Sequence, residues 1–411
     1  MDMVVLESWL EFAVRWLHVI TAIAWIGSSF YFIALDLGLR RSDDRRRGVH
    51  GEEWQVHGGG FYHIQKYLVA PERLPQDLVW FKWESYSTWL SGFAMLILVY
   101  YMGAELYLID PRVADISVWA GVLISLASLA FGWIAYDLIC KSRFGANNTY
   151  LMIGLYLILV LMAWGYAQVF SGRAALLHLG AFTATIMTAN VFFIIIPNQK
   201  IVVADLRAGR RPDPKYGVIA KQRSTHNNYL TLPVLFLMLS NHYPAAFASS
   251  WNWLIASLVF LMGVTIRHFF NSMHARKGRP WWTWGLTAVL FALIVWLSSL
   301  PGDGAEEGAR ADEDAALSGA AARFAAADGF EEVADIVMGR CSMCHAAEPG
   351  WDGIRFPPRG VAFDTPAEIA RHARQIYLQA GLTDAMPPAN LSFMEPEERR
   401  AIVDWYRAAS R

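Results

Sequence analysis

The sequence has 411 residues, of which 55% are hydrophobic and 17% charged, and its formal net charge is −1. So apolar a composition excludes an ordinary soluble globular protein, and a near-neutral chain with no single basic face is unlike a nucleic-acid-binding protein. Only three cysteines are present, and two of them fall in one pentapeptide at residues 341–345, which excludes a disulfide framework.

Eight apolar runs follow one another between residues 9 and 300. Because the hydrocarbon core of a bilayer is about 30 Å thick, a transmembrane helix needs roughly 20 such residues. The runs cover residues 9–38, 86–108, 114–139, 149–171, 174–196, 228–246, 249–270 and 281–300. They predict an all-α fold, a polytopic bundle of about eight transmembrane helices in contact with membrane lipid. The first run follows no basic n-region and ends in no small-residue cleavage site, so we expect it to be retained rather than removed as a signal peptide.

Basic residues are distributed unevenly between the loops that join these runs. The loops at 40–85, 140–148, 197–227 and 267–280 contain 8, 2, 7 and 4 Lys and Arg residues, whereas the intervening loops contain only Arg112 and Arg173. Because basic loops of membrane proteins face the cytoplasm, both chain termini are predicted on the extracytoplasmic side.

The composition changes abruptly after Leu300. Residues 301–328 are rich in Gly, Ala and acidic residues and are predicted to be a flexible linker. From residue 329 to 411 the pattern is that of a small globular helical domain. We therefore divide the chain into a transmembrane domain at 1–300, a linker at 301–328 and a C-terminal domain at 329–411.

The pentapeptide CSMCH at residues 341–345 has the spacing of a c-type haem attachment site. In such sites two thiols bind the porphyrin covalently and the adjacent imidazole coordinates its iron. Cys341 and Cys344 are therefore predicted to attach one haem c, and His345 to ligate its iron. This predicts that the C-terminal domain is a small cytochrome c of class-I type.

The second iron ligand must come from a loop that folds back over the haem. Met386 is the predicted ligand, with Met394 as the alternative, since a thioether raises the potential of the iron. A carbonyl of Pro357 or Pro358 is expected to orient the histidine. A zinc half-site or a redox dithiol is less consistent with the sequence, because His372 is the only other histidine of the domain and no βαβ context surrounds the cysteines.

Many polar residues converge on the predicted cytoplasmic side of the bundle. The candidates for a substrate site there are Arg223, His226, Asn227, Asn228, Arg267 and His268, with His57, His63, Lys66, Glu84, Gln199 and Asn271 nearby. Ionisable groups at membrane depth are costly, so each is a functional candidate. Amides, imidazoles and guanidinium groups together suit a planar anion, whereas contact with lipid headgroups would explain the Lys and Arg residues but not the amides.

Three histidines are predicted in the outer half of the bundle. They are His18, which shares a helical face with Trp25, and His178 and His242. Two imidazoles that face each other could hold a non-covalent b-type haem, which would divide a path of about 30 Å between the two membrane faces. The alternative is that each imidazole is only a hydrogen-bond partner between helices.

Two long stretches and the CSMCH motif give the chain a family resemblance. The stretches are GGGFYHIQKYLVAPERLPQDLVWFKWESYSTWLSG at 58–92 and RSTHNNYLTLPVLFLMLSNHYP at 223–244. With these residues the chain resembles, over essentially its whole length, the bacterial integral-membrane urate oxidases, or urate hydroxylases, in which an eight-helix domain precedes a cytochrome c.

The resemblance implies that the chain oxidises urate to 5-hydroxyisourate with water as the oxygen source. Electrons would pass to its own haem and on to a terminal oxidase or a soluble cytochrome c, without hydrogen peroxide. It also implies location in the bacterial inner membrane, with the N-terminus and the cytochrome c domain periplasmic. Arg223 or Arg267 would neutralise the anion. An amide of Asn227, Asn228 or Gln199 would form hydrogen bonds with the amide edges of urate. His226 or His268 would be the general base.

Two other functions are compatible with these features. One is a non-purine membrane cytochrome that passes electrons from quinol or a partner dehydrogenase to periplasmic carriers. The other is a transporter or sensor with a haem reporter. Neither function requires the polar cluster on the predicted cytoplasmic side.

Overall fold

A computed structural model describes residues 3–41, 48–67, 74–300, 317, 319–354 and 356–410. Within these residues the chain forms a bundle of long helices, a two-stranded sheet and a small helical C-terminal unit. The bundle helices are α1 (Met3–Gly38), α2 (Trp83–Met95), α3 (Val118–Lys141), α4 (Asn148–Ala167), α5 (Gly172–Ala189), α6 (Ile196–Arg207), α7 (Lys215–Ser240), α8 (Asn252–His274) and α9 (Trp282–Ser299). A π-helical turn, Leu96–Tyr101, continues α2, and a second, Asn190–Ile195, joins α5 to α6.

Six helices in the described part of the chain are long and apolar enough to cross a membrane. They are Met3–Gly38, Val118–Lys141, Asn148–Ala167, Gly172–Arg207, Asn252–His274 and Trp282–Ser299. Their outward faces carry exposed large hydrophobic side chains such as Phe131, Leu157 and Phe291. An exposed apolar surface of this kind is stable in lipid rather than in water, so the helices are compatible with a multi-pass membrane protein.

The predicted runs at 86–108 and 228–246 are helical but are not among these six. The first is divided into α2, its π-helical turn and a separate four-residue helix, Ala104–Tyr107, so no single helix there is long enough. The second belongs to α7, whose first half is polar and which contains Pro233. The structure thus supports six candidate spans and does not confirm the count of eight.

A β-hairpin at residues 49–67 departs from the all-α prediction. Strands β1 (Val49–His57) and β2 (Gly60–Tyr67) pair antiparallel through a two-residue turn at Gly58 and Gly59, both of which have positive φ. Such turns require a left-handed backbone, which glycine adopts without strain. The Asp36 carboxylate, near the end of α1, forms ion pairs with Lys66 of β2 and Lys221 of α7 and so fixes the hairpin on the bundle.

The hairpin defines one end of the bundle, which we call the hairpin face. The opposite end, where α1 begins, is the N-terminal face. The helices α3, α5 and α8 run from the N-terminal face toward the hairpin face, and α2, α4, α7 and α9 run back.

The C-terminal unit lies on the N-terminal face and has its own hydrophobic core. Its helices are α10 (Gly319–Ala325), α11 (Phe330–His345), α12 (Pro366–Arg371), α13 (Ala373–Ile376) and α14 (Pro396–Ala409). Phe324 of α10 packs in this core against Trp405 and Tyr406 of α14. The packed unit therefore includes residues 319–328, which the sequence analysis assigned to the linker, while linker residues 301–316 and 318 lie outside the described part of the chain.

Candidate active site

A buried polar cluster connects α3, the α5–α6 junction and α7 in the half of the bundle nearer the hairpin face. Its centre is Arg223, whose side chain is only 2% exposed. The guanidinium donates from Nη2 to Asp137 Oδ1 at 2.7 Å and from Nη1 to Asn190 Oδ1 at 3.3 Å. It also lies over the Tyr136 ring, 4.9 Å from the centroid. The ion pair and the ring together compensate the buried charge of Arg223.

Asn190 links this arginine to the remaining members of the cluster. Its Nδ2 donates to Asn227 Oδ1 at 2.9 Å and to the Tyr136 hydroxyl at 3.2 Å. The same hydroxyl lies 2.7 Å from Nδ1 of His226. Asn190 is the first residue of the π-helical turn between α5 and α6. Such turns are rare and are found frequently at functional sites.

A second buried cluster lies on the other side of α7, against α8. Arg267 is 5% exposed and donates from Nη2 to Asn228 Oδ1 at 3.2 Å and to Asn271 Oδ1 at 3.0 Å. Its guanidinium carbon lies 4.1 Å from the centroid of the Phe30 ring on α1. Among the residues that the structure describes, Arg267 has no carboxylate partner. Arg267 thus carries a buried positive charge that amides and a ring surround but no anion neutralises.

Three buried polar atoms of these clusters have no hydrogen-bond partner in the described part of the chain. They are Nε of Arg223, Nε2 of His226 and Nδ2 of Asn228. Buried polar atoms are satisfied in nearly all native proteins, so an unsatisfied group indicates a ligand, a water or a functional constraint. Three such atoms on α7 are the structural mark of a site that takes a polar molecule.

A cleft beside Asn227 opens between α1, α2, α5 and α7. Its polar lining consists of His18, Ser29, Thr88, Asn227 and Thr231, and Trp25, Met187 and other apolar residues complete it. Asn227 therefore belongs both to the polar cluster and to the cleft wall. The cleft has a volume of about 60 Å³ and reaches the cluster only at Asn227.

The structure brings together five of the six predicted substrate-site residues, in these two clusters on either side of α7. The sixth, His268, is exposed and lies beside the Trp282 ring, with the centroids 6.0 Å apart. Gln199 is also exposed and has no place in either cluster. Tyr136, Asp137 and Asn190 are site residues that the sequence analysis missed. An aspartate and an asparagine within apolar helices were the available signal.

The three histidines considered for a b-type haem differ in burial and in hydrogen bonding. His18 Nδ1 donates to the carbonyl of Thr88 at 3.0 Å, and its ring lines the cleft. His178 is fully buried, bonds to the carbonyl of Ala174 at 2.8 Å and has its other ring nitrogen unpartnered among aromatic rings. His242 is exposed. The structure thus places each histidine in a different environment, and a b-type haem on two of them stays a prediction.

Cys341, Cys344 and His345 occupy the last turns of α11 in the C-terminal unit. His345 Nδ1 lies 2.8 Å from the carbonyl of Val361, not from a carbonyl of Pro357 or Pro358. Because a carbonyl only accepts, Nδ1 carries the ring proton and Nε2 is available to a metal. Burial lowers the pKa of His345, which favours the neutral form that a ligand requires.

The loop that contains Met386 is held in place by backbone hydrogen bonds. The Met386 amide donates to the Gln379 carbonyl at 2.8 Å, and its own carbonyl accepts from Arg399 Nη1 at 2.9 Å. The alternative ligand, Met394, is 3% exposed and belongs to the core of the unit. The choice of Met386 over Met394 as the iron ligand stays a prediction. In the described part of the chain no group of three or more His, Cys, Asp or Glu side chains is arranged to hold a metal ion.

Comparisons with known proteins agree with the bundle as the functional unit. The model of the family described as "Urate oxidase N-terminal" matches residues 4–298, which include α1 to α9 except for the first residue of α1 and the last residue of α9. No curated protein and no solved structure matches the chain.

Proposed function

The chain belongs to the urate oxidase N-terminal family, and from this membership and the two buried clusters we propose that it oxidises urate to 5-hydroxyisourate within the bundle. The reaction is urate plus water to 5-hydroxyisourate, two protons and two electrons. A c-type haem held by the C-terminal unit would accept the electrons one at a time and supply them to a terminal oxidase or a soluble cytochrome c, without hydrogen peroxide.

The observation that carries the proposal is the uncompensated charge of Arg267. A buried guanidinium without an anionic partner is costly, and a bound anion removes that cost. Urate is a planar anion near neutral pH, with several amide-like edges. Arg267 neutralises its charge, and the free Nδ2 of Asn228 donates to one of its carbonyl oxygens.

His226 is the general base in this proposal, because its Nε2 is buried and free. In that role Nδ1 donates its proton to the Tyr136 oxygen, and Nε2 keeps a lone pair that takes a proton through water, because His226 and Arg267 lie on opposite sides of α7. Arg223 is already paired with Asp137, so it positions the cluster through Asn190 rather than neutralising the substrate.

The donor set of the C-terminal unit fits a c-type haem. Cys341 and Cys344 would hold it by thioether bonds, and His345 Nε2 and Met386 would be its iron ligands. When bound, such a haem accepts and releases one electron at a time. A b-type haem on His18, His178 or His242 stays a prediction.

We further propose that the bundle lies in the bacterial inner membrane with the N-terminal face and the C-terminal unit in the periplasm. The loops of the hairpin face contain most of the Lys and Arg residues, which favours the cytoplasm for that face. The two buried clusters then lie in the cytoplasmic half of the membrane.

The visible spectrum of the detergent-purified full-length protein tests the function. Oxidised protein is mixed anaerobically with urate, with xanthine and allantoin as control purine-pathway compounds. Reduction of a c-type band by urate alone is the expected result. If dithionite reduces the haem and urate does not, the urate proposal is wrong, and a carrier that takes electrons from quinol or a dehydrogenase becomes the leading function.

A further inference from the structure

The C-terminal unit contacts the bundle through a charged stripe on the first turns of α1. Arg374 of α13 lies with Nη1 3.3 Å from Glu11 Oε1 and with Nη2 3.6 Å from Glu7 Oε2. Val4 packs against the core of the unit. Residues 4, 7 and 11 are three and four positions apart, so they share one face of the helix. One arginine of the unit is thus held between two carboxylates of the bundle.

The length of α1 explains why this stripe is available. A helix of 36 residues spans about 54 Å at 1.5 Å per residue, whereas a bilayer core is about 30 Å thick. Several turns of α1 must therefore extend beyond the hydrocarbon. The contacts of Val4, Glu7 and Glu11 with the unit indicate that its first turns do so.

A second group of contacts surrounds Arg173 at the start of α5. Its guanidinium carbon lies 5.3 Å from the Tyr107 ring centroid and 5.9 Å from that of Phe247. The Tyr107 hydroxyl accepts a hydrogen bond from Gln375 Nε2 at 2.7 Å. Gly360 lies so close to Phe247 that an added Cβ would be 2.9 Å from its ring. An arginine and two aromatic rings therefore form a platform on which the unit rests.

The part of the unit on this platform is the segment that positions His345. Gly360 immediately precedes Val361, whose carbonyl holds Nδ1 of that histidine. We propose that these contacts form a defined electrostatic docking contact between the unit and the bundle, and that electrons enter the unit through this face, on the His345 side. The electron-entry step rests on the proposed function, but the docking contact does not.

A zero-length cross-link tests the docking contact directly. The sequence has no lysine after Lys277, so Arg374→Lys would give the C-terminal unit a single lysine. With a carbodiimide, the full-length variant should form an amide between residue 374 and Glu7 or Glu11, identified by mass spectrometry. The amide should disappear in about 1 M salt, where the Debye length falls to roughly 3 Å.

The matched control is Arg400→Lys, at a position whose observed ion pair is with Glu397 of the same helix. It should give no amide with α1. Absence of the 374 cross-link at low salt, or an equal α1 cross-link from position 400, would overturn the docking contact.

Electron entry is tested by charge reversal. Arg374→Glu should slow reduction of the c-type haem by urate by roughly 2- to 30-fold, the equivalent of two lost surface ion pairs of about 0.2–1 kcal/mol each. Reduction by dithionite should not change. Adding Glu7→Arg and Glu11→Arg should restore the rate, and Arg400→Glu should leave it at the unmodified value.

The two proposals fail in different ways. If urate does not reduce the haem of the unmodified protein, the proposed function fails while the cross-link still reports the docking contact. If urate reduces the haem of the Arg374→Glu variant as fast as that of the unmodified protein, electron entry through this face is wrong.

Discussion

The Tyr136 hydroxyl lies 2.7 Å from Nδ1 of His226 and joins the end of α3 to the polar half of α7. Asn190 donates to the same hydroxyl from the π-helical turn between α5 and α6. One phenol oxygen therefore sets the orientation of the imidazole and receives a bond from a third helix. Nε2 has no partner among the described residues, and it can act as a general base in the tautomer in which Nδ1 donates to the phenol oxygen.

Replacing Tyr136 by phenylalanine should reduce the rate of urate oxidation. The ring is kept, but His226 loses the partner that fixes its tautomer, and a general base contributes roughly 10²- to 10⁴-fold to a rate. We expect kcat to fall on the order of tenfold or more and the pH profile of kcat/KM to shift. Tyr150→Phe, at an exposed tyrosine of α4, is the control and should change neither. An unchanged pH profile in Tyr136→Phe would contradict the assignment of His226.

Replacing Arg267 by glutamine should weaken urate binding. Hydrogen bonds to charged groups contribute about 1.5–3 kcal/mol, so KM should rise by roughly 10- to 100-fold. Asn271 still donates to Asn228 at 3.0 Å, which keeps α7 and α8 connected in the variant. Steady-state kinetics with urate measure the change, and Arg210→Gln, at an exposed arginine on the hairpin face, is the control. A rise in KM of equal size in both variants would show a general charge effect instead of a binding site.

Met386 and Met394 can be distinguished by replacing each in turn. Met386→Ala should keep a covalently attached haem, lower its reduction potential and remove the spectroscopic signature of a thioether ligand, since a methionine ligand raises the potential. Met394→Leu should keep both the signature and the potential, because this methionine fills the core. Redox titration and absorption spectra of the full-length variants give the answer. The opposite pattern would assign the ligand to Met394.

The sequence predicted which polar residues are buried in the bundle better than how they are arranged. Five residues in the motif at 223–244 and in α8 were expected to act together, and the structure places them on both sides of α7. The sequence could not show that Asn227 and Asn228, which are adjacent, turn to different partners, because that depends on how α5 and α8 pack against α7. His268 was grouped with them by proximity in sequence, but the helix directs it to the surface.

The sequence predicts the helices well where hydrophobic runs are continuous. It predicts the hairpin and the contact between α1 and the C-terminal unit less well. The apolar segments of α3, α4 and α9 coincide closely with predicted runs, since hydropathy alone determines them. The hairpin was missed because its residues lie in a polar, basic stretch, although alternation around Gly58 and Gly59 was a detectable hairpin signal. The first turns of α1 bind the C-terminal unit, and no local pattern in either segment predicts that contact.

Close packing between α7 and α8 leads to a last prediction, which concerns stability. Gly263 of α8 lies against Pro233 of α7, and a Cβ at Gly263 would be 2.6 Å from the proline Cδ, so the proline fits only because the glycine has no side chain. Gly263→Ala should separate the helices that carry Asn228 and Arg267. Overpacking of this kind costs about 1–3 kcal/mol, and urate oxidation should fall with stability.

Gly154→Ala is the matched control for this change. Gly154 also lies within an apolar helix, α4, but an added Cβ there meets no atom within 4 Å. Thermal unfolding in detergent, followed together with urate-dependent haem reduction, should show a loss in Gly263→Ala and none in Gly154→Ala. Equal behaviour of the two variants would mean that the α7–α8 contact does not hold the substrate site together, and that Asn228 and Arg267 are positioned by their own hydrogen bonds alone.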